Sequence, residues 1–300
     1  MSLGAGLAGP VPDLPEEVRG PWDPRVRVFR AGPEVDAHAV VTERCVVLVD
    51  TMSTPGLARG MLDALAPDLP GRALVVVNTH QHHDHTWGNA AVVPPDGPGL
   101  PILAHPRGLA VAEDPVCRAF LVEQQAAEAR FAGGRLVPPT VAVPDGTRVD
   151  GGDLTVVLLH TPGHTRDHLA AWIPEIRVLL PGDAAEHPFP YAEAPGDVAA
   201  LEASLVRMAA LGPAWVLPAH GGTSDPGLLD RNISYIREVR RRAPALRSAR
   251  PGAEGQAGDG DPFPYTEALE FAGADPHEVP DLYRDFHRQN LANAGPEPGS

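Results

Sequence analysis

Residues 73–85 read Ala-Leu-Val-Val-Val-Asn-Thr-His-Gln-His-His-Asp-His. Ala73 to Val77 is a continuous apolar run, the pattern of a strand buried on both faces. It ends at Asn78-Thr79-His80, and His80 opens an H-x-H-x-D-H pattern. His80 and His82, two apart in an extended segment, point the same way and can grip one ion. Asp84 and His85, where the chain turns, can face a second ion beside it. His83 falls out of phase and is not expected to be a ligand.

Working outward, three more strand-like runs end in the same kind of residue. Leu154 to Leu159 leads to Thr161-Pro162-Gly163-His164-Thr165, and Val178 to Leu180 leads to Pro181-Gly182-Asp183. Trp215 to Leu217 leads to Pro218-Ala219-His220-Gly221. Four strand ends, each punctuated by Pro or Gly, deliver imidazole or carboxylate, a donor set that suits zinc and also iron or manganese. Any single one of the 13 histidines fits a surface or satisfied core position. Seven ligand-type residues at four strand ends do not. His38, His105, His277 and His287 carry no such signal.

Around these motifs the chain alternates strand and helix patterns. Strands are expected over Arg25 to Arg30, Ala37 to Thr42, Cys45 to Asp50, Ile102 to Ala104 and His168 to Ile173. Helices are expected over Pro55 to Ala66, Ala112 to Phe131, Val198 to Leu211 and Leu228 to Arg242. Two similar halves of this kind predict a layered α/β architecture with helices outside. The expected division is a flexible lead-in over 1–24, a catalytic domain over 25–245, and a linker with a helical C-terminal extension over 246–300. Pro251 to Pro262 reads as the linker. No ligand-type motif lies beyond Pro251, so the tail is expected to affect substrate choice or assembly more than metal binding.

Composition narrows the function classes. All 24 basic residues are Arg, which excludes a P-loop lysine, a Schiff-base lysine and the protein-kinase strand lysine. A net charge of −15 opposes binding to nucleic acid, and the Arg237, Arg240, Arg241 and Arg242 cluster reads as a solvated helix end. Cys45 and Cys117 are expected to be free thiols. No run reaches the ~18 apolar residues of a membrane span. The first twenty residues lack a basic n-region and carry Asp13, Glu16 and Glu17, so the chain reads as cytoplasmic.

The ordered motifs, Asp50 after a strand, His80-x-His82-x-Asp84-His85, His164 in T-P-G-H-T, Asp183 in P-G-D and His220 in P-A-H-G, make this sequence resemble the metallo-β-lactamase-fold superfamily over about Arg25 to Arg242. The resemblance implies an α/β fold, an αββα four-layer sandwich with the metals at one edge between the sheets. It implies two zinc ions per chain (iron or manganese being alternatives), one held by His80, His82 and His164 and one by Asp84, His85 and His220. Asp183 would bridge them opposite a water or hydroxide, and Asp50 would hold ligand groups by hydrogen bonds.

The expected activity is that of a dinuclear metal-dependent hydrolase. A metal-bridging hydroxide would attack a small-molecule ester, thioester, lactone or related acyl bond, with Asp84 as the catalytic group that orients it. The alternatives are a mononuclear iron sulfur (persulfide) dioxygenase using His80, His164 and Asp183, and β-lactam or phosphodiester hydrolysis. The Asp at 183 departs from zinc β-lactamases, and the absence of Lys departs from the glutathione site of glyoxalase II, leaving the subfamily open. His168, His187 and Tyr191 follow the metal loops and are expected to contact substrate. Arg166 is expected to form an exposed salt bridge. The 112–131 helix and the tail beyond Pro262 are the segments expected to select substrate. The partners expected are a small-molecule substrate, no nucleic acid and no membrane, with a homodimer left open.

Overall fold

The computed structural model describes residues 10–93, 99–248, 263–277 and 279–294. Seven strands lie side by side in chain order: β1 (Glu16–Val18), β2 (Val26–Arg30), β3 (Asp36–Val41), β4 (Cys45–Val49), β5 (Ala73–Val77), β6 (Ile102–Ala104) and β7 (Val141–Ala142). A second sheet runs in the order β12 (Trp215–Val216), β11 (Val178–Leu180), β10 (Leu169–Ile173), β9 (Thr155–His160) and β8 (Thr147–Asp150).

The apolar runs explain why both sheets are covered on both sides. Side chains alternate faces along a strand, so a strand without polar residues must be buried twice. In β4, Cys45, Val47 and Val49 face the inter-sheet core while Val46 and Leu48 face outward. In β10, Leu169, Ala171 and Ile173 meet the same inner core, and Ala170 and Trp172 face the opposite layer. Helix α1 (Pro55–Leu65) covers the first sheet with Leu57, Ala58, Met61 and Leu65. Thr54 caps it, its hydroxyl accepting from Leu57 N–H at 3.2 Å, and Pro55 follows at the favoured first position. Helices α5 (Asp197–Ala209) and α6 (Leu228–Ser248) cover the second sheet. The result is the four-layer αββα sandwich.

Register sets where the motifs fall. β4 and β5 pair in parallel with Val49 opposite Val77, so Asp50 and Asn78 leave the sheet at the same level. β9 and β10 are antiparallel with His160 opposite Leu169, and β11 and β12 are parallel with Leu179 opposite Val216. Every ligand-bearing loop therefore leaves at one edge.

Several expectations need correction. The stretch expected as a single helix over Ala112 to Phe131 is a 3₁₀ segment (Pro106–Glu113), helix α4 (Pro115–Ala127) and a second 3₁₀ turn (Ala129–Phe131). Asp114-Pro115 makes the break: Pro disfavours helix at the residue before it, and the Asp114 carboxylate caps α4 by accepting from Val116 N–H at 2.8 Å. The H-x-H-x-D-H motif ends not in a simple turn but in two short helices, α2 (His83–Thr86) and α3 (Asn89–Val92). Within the expected lead-in, β1 pairs antiparallel with β2, with Glu17 opposite Phe29. The expected boundary at 245/246 falls inside α6, which runs on to Ser248. Beyond it the expected helical extension is present as α7 (Tyr265–Ala272) and α8 (Leu282–Asn293), and it packs into the core: Phe263, Leu269, Tyr283 and Leu291 are buried in one cluster with α5 and α6. Burying four such side chains contributes on the order of 6–12 kcal/mol before entropy, which explains why these helices dock. The expected linker Pro251 to Pro262 and residues 1–9 lie outside the described residues.

The free thiols are as expected, Cys45 buried and Cys117 half-buried. The Arg237–Arg242 cluster is spent on ion pairs: Arg237 and Arg240 with Glu202, Arg241 with Glu238, and Arg242 with Glu238 and Glu267. Among the described residues no helix is long and apolar enough to cross a membrane.

One buried histidine makes the fold acid-sensitive. His38, in the middle of β3, is buried with its Nε2 unpartnered, and burial pushes its pKa down to about 3. An unfolded imidazole binds its proton near 6.5. Between those values the unfolded chain binds more protons, so folding stability falls as pH drops. Replacing His38 by Leu should flatten the stability–pH curve from about 6.5 down toward 3, by up to about 1.4 kcal/mol per pH unit. Urea denaturation at a series of pH values tests this, and curves of equal slope would contradict it.

Candidate metal centre

The four strand ends close on one carboxylate. Asp183 Oδ2 lies 3.6 Å from His80 Nε2, 3.5 Å from His164 Nε2 and 3.3 Å from His220 Nε2. Asp183 Oδ1 lies 3.2 Å from His85 Nε2. Asp84 Oδ2 is 3.4 Å from His220 Nε2 and 3.6 Å from His85 Nε2. Two sets of potential ligands result, His80, His82, His164 and Asp183 in one, and Asp84, His85 and His220 in the other, each with its donor atoms within 4.8 Å of one another. All seven sequence-expected residues are thus brought together; Asp183, expected between the two sets, groups with the first and also lies 3.2 Å from His85 and 3.3 Å from His220 of the second.

The hydrogen bonds around the rings fix which nitrogens face the centre. Asp50 is the anchor: Thr79 N–H and the Thr79 hydroxyl donate to its two oxygens, each at 2.7 Å, and His85 Nδ1–H donates to Oδ2 at 2.8 Å. The Thr79 oxygen in turn accepts from His80 Nδ1–H at 3.0 Å. His164 Nδ1–H donates to the Tyr191 carbonyl at 3.0 Å. Each of these rings has its N–H directed outward, which leaves the Nε2 lone pair facing inward. His82 is the reverse. Its Nε2 lies 3.5 Å from Glu193 Oε1 and its Nδ1 faces inward, 3.1 Å from His164 Nε2.

This is how imidazoles are held when they ligate a cation. Four donors about 2.0–2.1 Å from a tetrahedral centre stand roughly 3.4 Å apart, close to the separations observed here. His80 Nε2 is buried with no hydrogen-bond partner, and His85 Nε2 and Asp183 Oδ1 face only each other, as an ion pair at 3.2 Å. Atoms so short of partners are costly unless something binds them, so the donor set fits metal ions.

The electrostatics agree. Burial opposes charge on His85 and His220, yet the Asp183 carboxylate and the acids beside it raise both well above the ordinary imidazole value. Burial likewise opposes charge on Asp183 and Asp84, and the surrounding imidazoles outweigh it, holding both carboxyls far down. Two ionised carboxylates this deep require positive charge between them. Glu186 behaves oppositely: burial, and then the Asp183 charge, push it up to about 8.

Of the residues expected to contact substrate, His187 and Tyr191 do line the cavity above the ligands. His168 does not. It is buried, its Nε2 accepts from Asp183 N–H at 3.1 Å and its Nδ1–H donates to Thr161 at 2.8 Å, so it holds the central carboxylate in place. Gly182 fits beneath it with φ +55°, and a Cβ there would sit 2.7 Å from His168 Nε2. His83 turns away into an aromatic cluster, its ring 5.2 Å from Trp87 and 5.5 Å from Phe120. Arg166 pairs with Asp197 and is half-exposed. Sequence reasoning missed Thr79, Glu193 and the Glu186–Tyr283 pair, in which the Tyr283 hydroxyl donates to Glu186 at 2.9 Å. Their signal was position alone: Thr79 precedes the first ligand, and Glu186 follows Asp183 by three.

A family model described as the metallo-beta-lactamase superfamily matches residues 32–220. A hydroxyacylglutathione hydrolase of Rhodospirillum rubrum is 28% identical over 272 residues, covering 82% of this chain and 94% of that protein. Another, of Synechococcus sp., is 33% identical over 129 residues, covering 43% of this chain and 41% of that relative's length. The fold is shared with a metallo-beta-lactamase family protein of Thermus thermophilus, at a TM-score of 0.56 and 21% identity, over 86% of this chain and 89% of that one.

Asp50 satisfies three buried donors at once. Asp50→Ala should cost about 3–5 kcal/mol, the range for breaking a buried ionic network by removing one member. Denaturant unfolding measures it, and a loss below about 1 kcal/mol, the size of one ordinary hydrogen bond, would show that Asp50 does not anchor the centre.

Proposed function

The chain belongs to the metallo-beta-lactamase superfamily, and from that premise we propose that it is a dinuclear metal-dependent hydrolase of small-molecule acyl bonds: esters, thioesters or lactones. One observation carries the reading. Seven ligand-type side chains form two adjoining sets about Asp183, and four of them, His82, Asp84, Asp183 and His220, open into a single cavity of about 520 Å³. The relatives named as hydroxyacylglutathione hydrolases support acyl chemistry.

In this reading His80, His82 and His164 would hold one ion and Asp84, His85 and His220 a second, with the Asp183 carboxylate available to both sets. Imidazole with carboxylate suits zinc, with iron or manganese as alternatives. When bound, the pair of ions supplies a water of lowered pKa and a Lewis acid for the carbonyl oxygen. The chain's own residues do the rest. His168 and Asp50 keep the ligand atoms fixed, so little reorganisation accompanies reaction. Asp84 lines the cavity and stays ionised, so it accepts a hydrogen bond from the attacking water and directs it at the carbonyl carbon. The proton released on attack passes by way of the same carboxylate toward the leaving group. His187 and Tyr191 border the space where the substrate's flanking groups would lie.

Protein purified without chelator should carry two metal ions per chain by elemental analysis. One ion or none would contradict the dinuclear assignment. Asp84→Asn keeps the size of the side chain, removes its charge and offers a poorer ligand. Against a panel of thioesters, lactones and aryl esters it should lower kcat by roughly 10²–10⁴-fold, with the ion of the His80, His82 and His164 set retained. Near wild-type turnover with both ions still bound would remove Asp84 from the mechanism.

A further inference from the structure

The walls of the cavity show what kind of group it is built to receive. Two arginines line it, and both are already matched to carboxylates. Arg30 donates through Nε and Nη2 to the two oxygens of Asp36, at 2.8 and 2.7 Å. Arg130 donates to both oxygens of Glu34, at 3.0 and 2.8 Å, and through Nε to Glu128 at 2.7 Å. Its guanidinium also lies 4.1 Å over the Phe131 ring. Glu34 and Asp36 are buried, so these pairs are fixed and cannot swing open cheaply to take a ligand anion. Among the described lining residues outside the two ligand sets there are four acids, Glu34, Asp36, Glu128 and Glu186, against two arginines. Burial favours the neutral form of Glu186, and the other three still outnumber the arginines.

The facing wall is apolar. Helix α8 and the loop after Asp183 contribute Pro188, Tyr191, Leu282, Tyr283 and Phe286. Tyr191 and Phe286 stack with centroids 4.1 Å apart, and Tyr283 meets Phe286 edge-on at 5.3 Å. Such a surface gains by covering an aromatic or branched aliphatic group. A ligand carboxylate would lose its water beside three fixed acids and find the charge of both arginines already balanced by buried carboxylates.

We propose that this cavity selects acyl compounds whose recognition group is uncharged and apolar, seated against Tyr191, Tyr283 and Phe286, and that it discriminates against carboxylate-bearing conjugates of the glutathione type. The acyl part rests on the hydrolase reading above. The preference for an uncharged group is a binding property that stands apart from it.

The test uses two non-hydrolysable benzyl thioethers with the metal-replete full chain, each titrated by calorimetry. S-Benzylglutathione carries two carboxylates, and N-acetyl-S-benzylcysteamine carries no charge. The uncharged ligand should bind at least tenfold more tightly. Phe286→Ala should weaken that ligand at least fivefold, and Glu34→Gln, which strips Arg130 of its main counter-charge, should improve S-benzylglutathione at least threefold. Glu128→Gln, at the more exposed end of the same network, replaces Glu34→Gln if the latter does not fold. Equal or tighter binding of S-benzylglutathione by the wild type overturns the proposal, as does binding of neither ligand. No response of either ligand to the variants also overturns it. Turnover of the phenylacetyl thioesters of the same two thiols separates the two readings. The uncharged preference in binding without any turnover would remove the hydrolase and leave the pocket assignment standing. Turnover that favours the glutathione thioester would do the reverse.

Discussion

The Asp183 carboxylate sits buried among four imidazoles, none farther than 3.6 Å away. A charge in that position is tolerable only if its surroundings cannot relax away from it. The supports around it follow from that demand. His168 grips the Asp183 backbone N–H, and Gly182 leaves room for the grip. Asp50 binds Thr79 and His85, and Thr79 passes the constraint to His80. Two buried carboxylates, Asp50 and Asp183, thereby face the same histidines from opposite sides.

The sheets supply the precision these contacts need. Asp50 leaves β4 with φ +66°, a conformation unusual for a residue with a side chain. The Asp50 N–H donates to the Val77 carbonyl at 2.8 Å, so the parallel β4–β5 pairing continues one residue into the turn. That single bond fixes the Asp50 side chain against Thr79. Sites built on strands and helices hold side chains more closely than sites on long loops: His80, His82, His164, Asp183 and His220 lie within five residues of a strand end, and Asp84 and His85 are carried on helix α2.

The parts legible in the sequence were those governed by local pattern. Continuous apolar runs such as Ala73–Val77 announced strands buried twice, and the residues after them announced the centre. The parts that were not legible depend on contacts between distant segments. His168 looks like any residue after a metal loop until β10 turns it under Asp183. Asp114-Pro115 lies between two segments of helical apolar spacing, and the restriction before Pro together with the Asp114 cap decides the break there. The docking of α7 and α8 could not be read from their short patterns, because the surface they cover belongs to α6. Their apolar residues had to be spent somewhere, and only the fold shows where.

The C-terminal helix also reaches the candidate ligand residues, although none of them lies on it. Asn290 accepts from Ala192 N–H at 2.8 Å and donates to the Pro190 carbonyl at 2.9 Å. Asn293 donates to the Ala192 carbonyl at 2.9 Å. These three bonds brace the backbone on both sides of Tyr191, whose carbonyl accepts from His164 Nδ1–H. Tyr283, in the first turn of the same helix, bonds to Glu186 on the loop that begins at Asp183. One helix thus forms the apolar wall of the cavity and orients an imidazole of the centre. A change in α8 that reshapes the wall without disturbing Asn290 and Asn293 would alter what enters and leave the ligand cradle intact. The wall residues Leu282 and Phe286 lie in its first half, and the two asparagines lie in its second. Under the proposed function, that division along one helix would let substrate choice vary while the cradle stays constant.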